Sequence, residues 1–87
     1  MEKSEISKEL QTVPGVGPSI AEDLLKVGIY SLKDLNNKDP EDLYNKLCNI
    51  EQKHIDRCVL YVFRLAIYFA KEKKHTPYLL KWWNWKD

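Results

Sequence analysis

The chain has 87 residues, enough for one small domain spanning 1–87 with a thin core and a stability of only about 5 kcal/mol. Hydrophobic residues make up 44% of it, yet no apolar run approaches the roughly 18 residues that cross a bilayer, and the opening MEKSEISKEL lacks an apolar signal region. A soluble, cytoplasmic protein with no membrane partner is expected.

Net charge is +1, but it is unevenly spread. Residues 1–52 carry six lysines against ten carboxylates, a net of −4, and residues 53–87 carry eight cations against three carboxylates, a net of +5. An anionic partner is therefore expected to meet the C-terminal half.

In chain order, Ser4 is a candidate cap for a first helix with Ile6 and Leu10 on one face. Pro14 disfavours helix at Val13 and should end it. Gly15 and Gly17 permit backbone angles closed to other residues. Pro18 suits the first turn of a second helix, whose apolar face is Ile20, Ala21, Leu24 and Leu25 and whose end is marked by Gly28. Ser31 and Asp34 have capping-box spacing ahead of a short helix with Leu32 and Leu35. Asp39-Pro40 opens the next, lined by Leu43, Leu47 and Cys48. The longest helical pattern runs from Lys53 to Lys74, with Ile55, Val59, Phe63, Ala66, Ile67 and Ala70 as its main apolar face. Thr76-Pro77 starts a short final helix over YLLKWWNW. No strand alternation competes, so the fold class is all-α, a compact bundle of five or six helices.

The pattern Leu10, Val13, Gly15-Val16-Gly17, Ala21, Leu24, Leu25, Gly28-Ile29 resembles the helix–hairpin–helix (SAM-like) motif. That resemblance implies a sharp Gly-apolar-Gly turn between two helices, with Val16 plugging their shared core. It also implies a phosphate site on the hairpin N–H groups and the second helix's N-terminus, a placement that suits anions on physical grounds. Family members often carry a lysine or arginine where this chain has Ser19, and Glu22 and Asp23 follow within a turn. Phosphate neutralisation supplies most non-specific affinity, so contact with a DNA backbone through Gly15, Val16, Gly17 and Ser19 should be weak. A purely structural corner is the alternative. A dinucleotide fingerprint would need glycine at Ile20, and the Gly-Lys-Ser/Thr of a P-loop is absent.

Taken with DPEDLYNKLC, DRCVLYVFRLAIYFA and LLKWWNWKD, the chain resembles a small bacterial helix–hairpin–helix family named for a pathogenicity locus or mitomycin resistance. The resemblance covers about Leu10 to Asp87. It implies a fold, and supplies no reaction or catalytic residue.

Arg57, Tyr61, Arg64, Tyr68 and Lys71 recur at steps of 4, 3, 4 and 3 on one helix face. Arg57, Arg64 and Lys71 are candidate phosphate contacts, and the tyrosines candidate stacking partners. The alternative is that the C-terminal segment covers the stripe and the arginines lie along aromatic rings. Trp82 and Trp85, three apart, share a face suited to clamping the core, while Trp83 points elsewhere; a recognition surface is the other reading. His54 and Cys58 lack the further ligands a zinc site needs, and no cofactor or metal is expected. With no recognised nucleophile or acid–base set, the chain reads as a non-enzymatic module with no small-molecule substrate. Its partner is a DNA backbone bound without sequence specificity or, alternatively, an unidentified protein.

Overall fold

The computed structural model describes residues 3–86; Met1, Glu2 and Asp87, at the ends of the expected 1–87 domain, lie outside them. Four α-helices occur among the described residues: α1 (Lys3–Leu10), α2 (Pro18–Lys26), α3 (Pro40–Glu51) and α4 (Cys58–Lys71). Three 3-10 turns, Lys33–Leu35, Pro77–Leu80 and Trp82–Trp85, complete the described secondary structure, which contains no strand. Two of the segments expected to be short helices, those beginning at Ser31 and Thr76, are these turns. No helix among the described residues is long and apolar enough to cross a membrane.

The helix boundaries follow local chemistry. α1 is already helical at Lys3, so Ser4 lies inside it and not at its cap. α2 opens on Pro18 and closes in a Schellman turn: Gly28, at φ +92°, donates to the Leu25 carbonyl, and Ile29 donates to that of Leu24 at 2.9 Å. Ser31 Oγ accepts from the Asp34 N–H at 3.2 Å, while the Asp34 carboxylate reaches back to the Tyr30 N–H, one residue short of a reciprocal box. Glu9 of α1 supplies a further acceptor, taking the Leu32 N–H at 2.7 Å. Asp39 caps α3 as expected, accepting from the Glu41 N–H at 3.0 Å.

α4 is shorter than the Lys53–Lys74 pattern. Gln52 adopts a left-handed conformation at φ +54° and ends α3, so the residues after it are spent on turning the chain. The Asp56 carboxylate then accepts from the Cys58 N–H at 2.9 Å and starts α4. At the other end Glu72 is extended, and the Thr76 N–H donates to the Tyr68 hydroxyl at 2.8 Å as the chain folds back. Lys73 and Lys74 therefore fall beyond the helix.

One contiguous core holds these elements together. α4 is its centre, burying Val59, Leu60, Val62, Phe63, Leu65 and Ala66 on several sides. Ile55 precedes the helix, and Ile67 and Ala70 are half-buried, so the expected single face is too narrow a description. The wider burial arises because α3, the Lys33–Leu35 turn and both C-terminal turns all pack on α4. The Cα radius of gyration is 12.0 Å, the value of a compact chain this long.

Candidate functional site

The stretch between α1 and α2 is a tight corner with a defined interior and exterior. Val13 is buried, and its carbonyl accepts from the Val16 N–H at 3.0 Å. Pro14 and Gly15 are the central residues of this turn, and Gly15 has φ +88°. Proline second and a positive-φ glycine third are the residues a type II turn requires. Val16 points inward and is 5% exposed, while Gly15, Pro18 and Ser19 are exposed. Gly17 departs from expectation. At φ −97° and ψ −172° it is ordinary extended backbone, and a Cβ there would meet nothing within 4 Å. The conformational demand of the hairpin rests on Gly15 alone.

Gly17 matters in a different way. It stands at the N-cap of α2, where no side chain accepts a hydrogen bond. Pro18 has no N–H, and the first N–H groups of any helix lack intrahelical partners. The Ser19 and Ile20 amides thus begin α2 without a side-chain cap, beside an exposed Ser19 hydroxyl; the Ala21 N–H, by contrast, is bonded to the Gly17 carbonyl at 3.0 Å. The two acids that follow are moderated. Glu22 lies 3.5 Å from Lys3, both largely exposed. Burial pushes the Asp23 carboxyl above its usual range, with Lys26 opposing. Lys26 is itself committed to Glu51 at 2.5 Å.

The corner rests on α4 and the C-terminus. A Cβ built on Gly15 would sit 3.5 Å from Leu65 Cδ2 and 3.6 Å from Trp82 Cδ1. Trp82 meets Trp83 edge-on at 5.9 Å. The Lys81 ammonium lies 5.9 Å from the Trp83 ring centre, and that of Lys86 lies 5.9 Å from the Trp82 ring centre. Lys81 and Lys86 are the cations of the turn that abuts the hairpin. Sequence reasoning singled out neither, because their place depends on the chain folding back after Lys71.

Arg57 and Arg64 belong to another neighbourhood. Arg57 lies 3.5 Å from the Glu41 carboxylate and over the Tyr44 ring at 5.8 Å. Arg64 donates to the Trp85 carbonyl at 2.6 Å, lies 3.6 Å from Glu41 and stands over Tyr61 at 5.6 Å. Tyr68 packs on Trp85 at 5.5 Å between ring centres. The C-terminal segment thus covers part of the stripe, and both arginines lie along tyrosine rings. Lys71 is exposed at the edge of a groove of about 400 Å³ that Pro40, Ile67, Tyr68 and Trp85 also line. The hairpin and the arginine stripe therefore meet the Trp82–Trp85 turn through different tryptophans, Trp82 for the first and Trp85 for the second.

Cys48 and Cys58 are free thiols. Burial, then a hydrogen bond with Asp56, pushes the Cys58 thiol up and away from the reactive thiolate.

Comparison with known proteins matches residues 3–87 to the family described as Pathogenicity locus. The Mitomycin resistance protein McrB of Streptomyces lavendulae is 27% identical over 77 residues, which span 88% of this chain and 70% of that protein. No solved structure matches the chain.

Proposed function

The chain belongs to the Pathogenicity locus family, and from that membership and the geometry of its glycine corner we propose that it is a non-enzymatic helix–hairpin–helix module. In this reading it holds the DNA backbone weakly and without sequence specificity. The observation that carries the reading is the uncapped entry to α2 at Gly17, with Pro18 and Ser19 exposed, set beside the left-handed turn at Gly15. Free N–H groups at a helix start attract phosphate oxygens, and a glycine at the cap lets the backbone approach closely. Gly15, Gly17 and Ser19 contribute through the main chain, and Val16 holds the corner from inside. Lys71 adds an exposed charge. Arg57 and Arg64 reach phosphate only by exchanging contacts with Glu41 and the Trp85 carbonyl. A link to mitomycin resistance or DNA damage is part of this proposal, supported by the resemblance to the Streptomyces mitomycin resistance protein. No cofactor, metal, membrane or small-molecule substrate enters this scheme, and a cytoplasmic location fits it.

Titrating the labelled protein with short duplex DNA at low and moderate salt tests the proposal by NMR. Amide shifts concentrated at Gly15, Gly17 and Ser19, fading with salt, are the expected result. Ser19→Lys should tighten binding and steepen the plot of log affinity against log salt by about 0.9, one phosphate's worth of counterion release. An unchanged slope moves the contact away from the hairpin.

A second reading, a protein-interaction bundle with a purely structural corner, is favoured by one observation. The arginines of the stripe are engaged internally, while Tyr78 and Trp83 are 64% and 50% exposed. Hairpin amides silent at low salt select this reading.

A further inference from the structure

Trp83 is spent differently from its neighbours. A small protein normally invests tryptophan in its core, and Trp82 and Trp85 pack there, whereas Trp83 keeps half its surface in water. Its ring is nonetheless restrained, standing nearly perpendicular to that of Trp82 at 5.9 Å between centres and beside the Lys81 ammonium. A pre-positioned aromatic surface loses little freedom on binding. Lys81 and Lys86 are both exposed, and among the described residues neither has a carboxylate partner. Residues 71–87 carry five lysines against two carboxylates. Protein-binding centres are depleted of charge, so this setting favours an anionic polymer that also presents flat apolar faces.

We propose that Lys81, Trp83 and Lys86 form a platform for single-stranded DNA, an unpaired base stacking on Trp83 as the Lys81 ammonium swings off the ring, and the two lysines taking the adjacent phosphates. The proposal rests on the reading of the chain as a DNA-binding module and specifies the form of strand it prefers. Duplex bases are already stacked and offer the indole nothing without being pulled apart, whereas every unpaired base presents a π-face. Trp82 meets Trp83 and lies 3.6 Å from where a Gly15 Cβ would stand, so the platform adjoins the glycine corner.

Fluorescence anisotropy of the full chain with a labelled twelve-residue oligothymidine and with a duplex of equal length tests this. Oligothymidine should bind more tightly. Trp83→Leu should weaken it roughly tenfold and leave the duplex unchanged, and Trp83→Phe should retain most of the affinity. Lys81→Gln should lower the single-strand salt slope by about 0.7. Because Trp83 is half exposed, melting curves of these variants should overlay that of the parent. An oligothymidine affinity that Trp83→Leu leaves intact overturns the platform, while hairpin amide shifts with duplex would still uphold the module. Absence of binding to either nucleic acid at low salt overturns both, and points Trp83 to a protein.

Discussion

Deleting Lys81–Asp87 is expected to lower the melting temperature by roughly 12–24 °C. The segment removes three of the ten aromatic side chains. α4 packs more extensively on the Trp82–Trp85 turn than on any other element. Fully burying a large side chain is worth about 1.5–3 kcal/mol, and Trp82 and Trp85 are only half-buried, so each is discounted. Two polar ties go with them: Arg64 to the Trp85 carbonyl at 2.6 Å, and Trp85 Nε1 to the Leu79 carbonyl at 2.8 Å. Each such bond, part-exposed here, contributes about 0.5 kcal/mol. The total is about 3 kcal/mol, against a native stability near 5, and each kcal/mol shifts a domain of this size by about 4–8 °C. Thermal unfolding of the full and shortened chains by circular dichroism measures it. Trp83→Leu is the control and should melt like the parent. Equal melting temperatures for the full and shortened chains would reject the clamp.

Much of this architecture is legible in the sequence because short-range chemistry decides it. Asp39-Pro40 opens one helix, and Gly28 closes α2 in the left-handed turn its position implies, whereas α1 stops at Leu10, ahead of the break expected at Pro14. The i, i+3 spacing of Trp82 and Trp85 separates them from Trp83 before any tertiary contact is known. The departures have two causes: some are local chain reversals that helical periodicity does not reveal, and others depend on residues far apart in the chain. α4 loses its first expected turns to the reversal at Gln52, and its last where His75 stacks on Phe69 with ring centres 4.4 Å apart. The tryptophan segment forms 3-10 turns because it is laid against α4 and the glycine corner, which hold it in shape without a continuous helix. The candidate site divides in the same way. The turn chemistry of Gly15 is readable locally, whereas the partners of Arg57 and Arg64 lie on α3 and at the C-terminus, beyond the reach of helix periodicity.

Gly15→Val is expected to cost roughly 2–4 kcal/mol, and Gly17→Val no more than about 1. Both glycines belong to one motif, and only the geometry separates them. Gly15 has φ +88°, a region where an ordinary residue loses about 1–2 kcal/mol and a β-branched one more. Its Cβ alone would fit, at 3.5 Å from Leu65 and 3.6 Å from Trp82, but the two methyl groups of valine reach further into that contact. Gly15→Ala isolates the backbone share and should cost about 1–2 kcal/mol. Gly17 is extended and open on its side-chain face, so valine there loses only the difference between glycine and an apolar residue at an N-cap. Gly17→Ser reverses the sign. Its hydroxyl can accept from the first free amides of α2 and stabilise the chain by a few tenths of a kcal/mol. The same hydroxyl then competes with a phosphate for those amides, so this variant should bind duplex DNA more weakly while melting slightly higher. Urea unfolding ranks the three glycine variants, and the duplex titration completes the fourth. If Gly15→Val and Gly17→Val unfold at the same urea concentration, the corner is not built on a left-handed Gly15. If Gly17→Ser binds duplex as well as the parent, the amides at the start of α2 are not the phosphate contact.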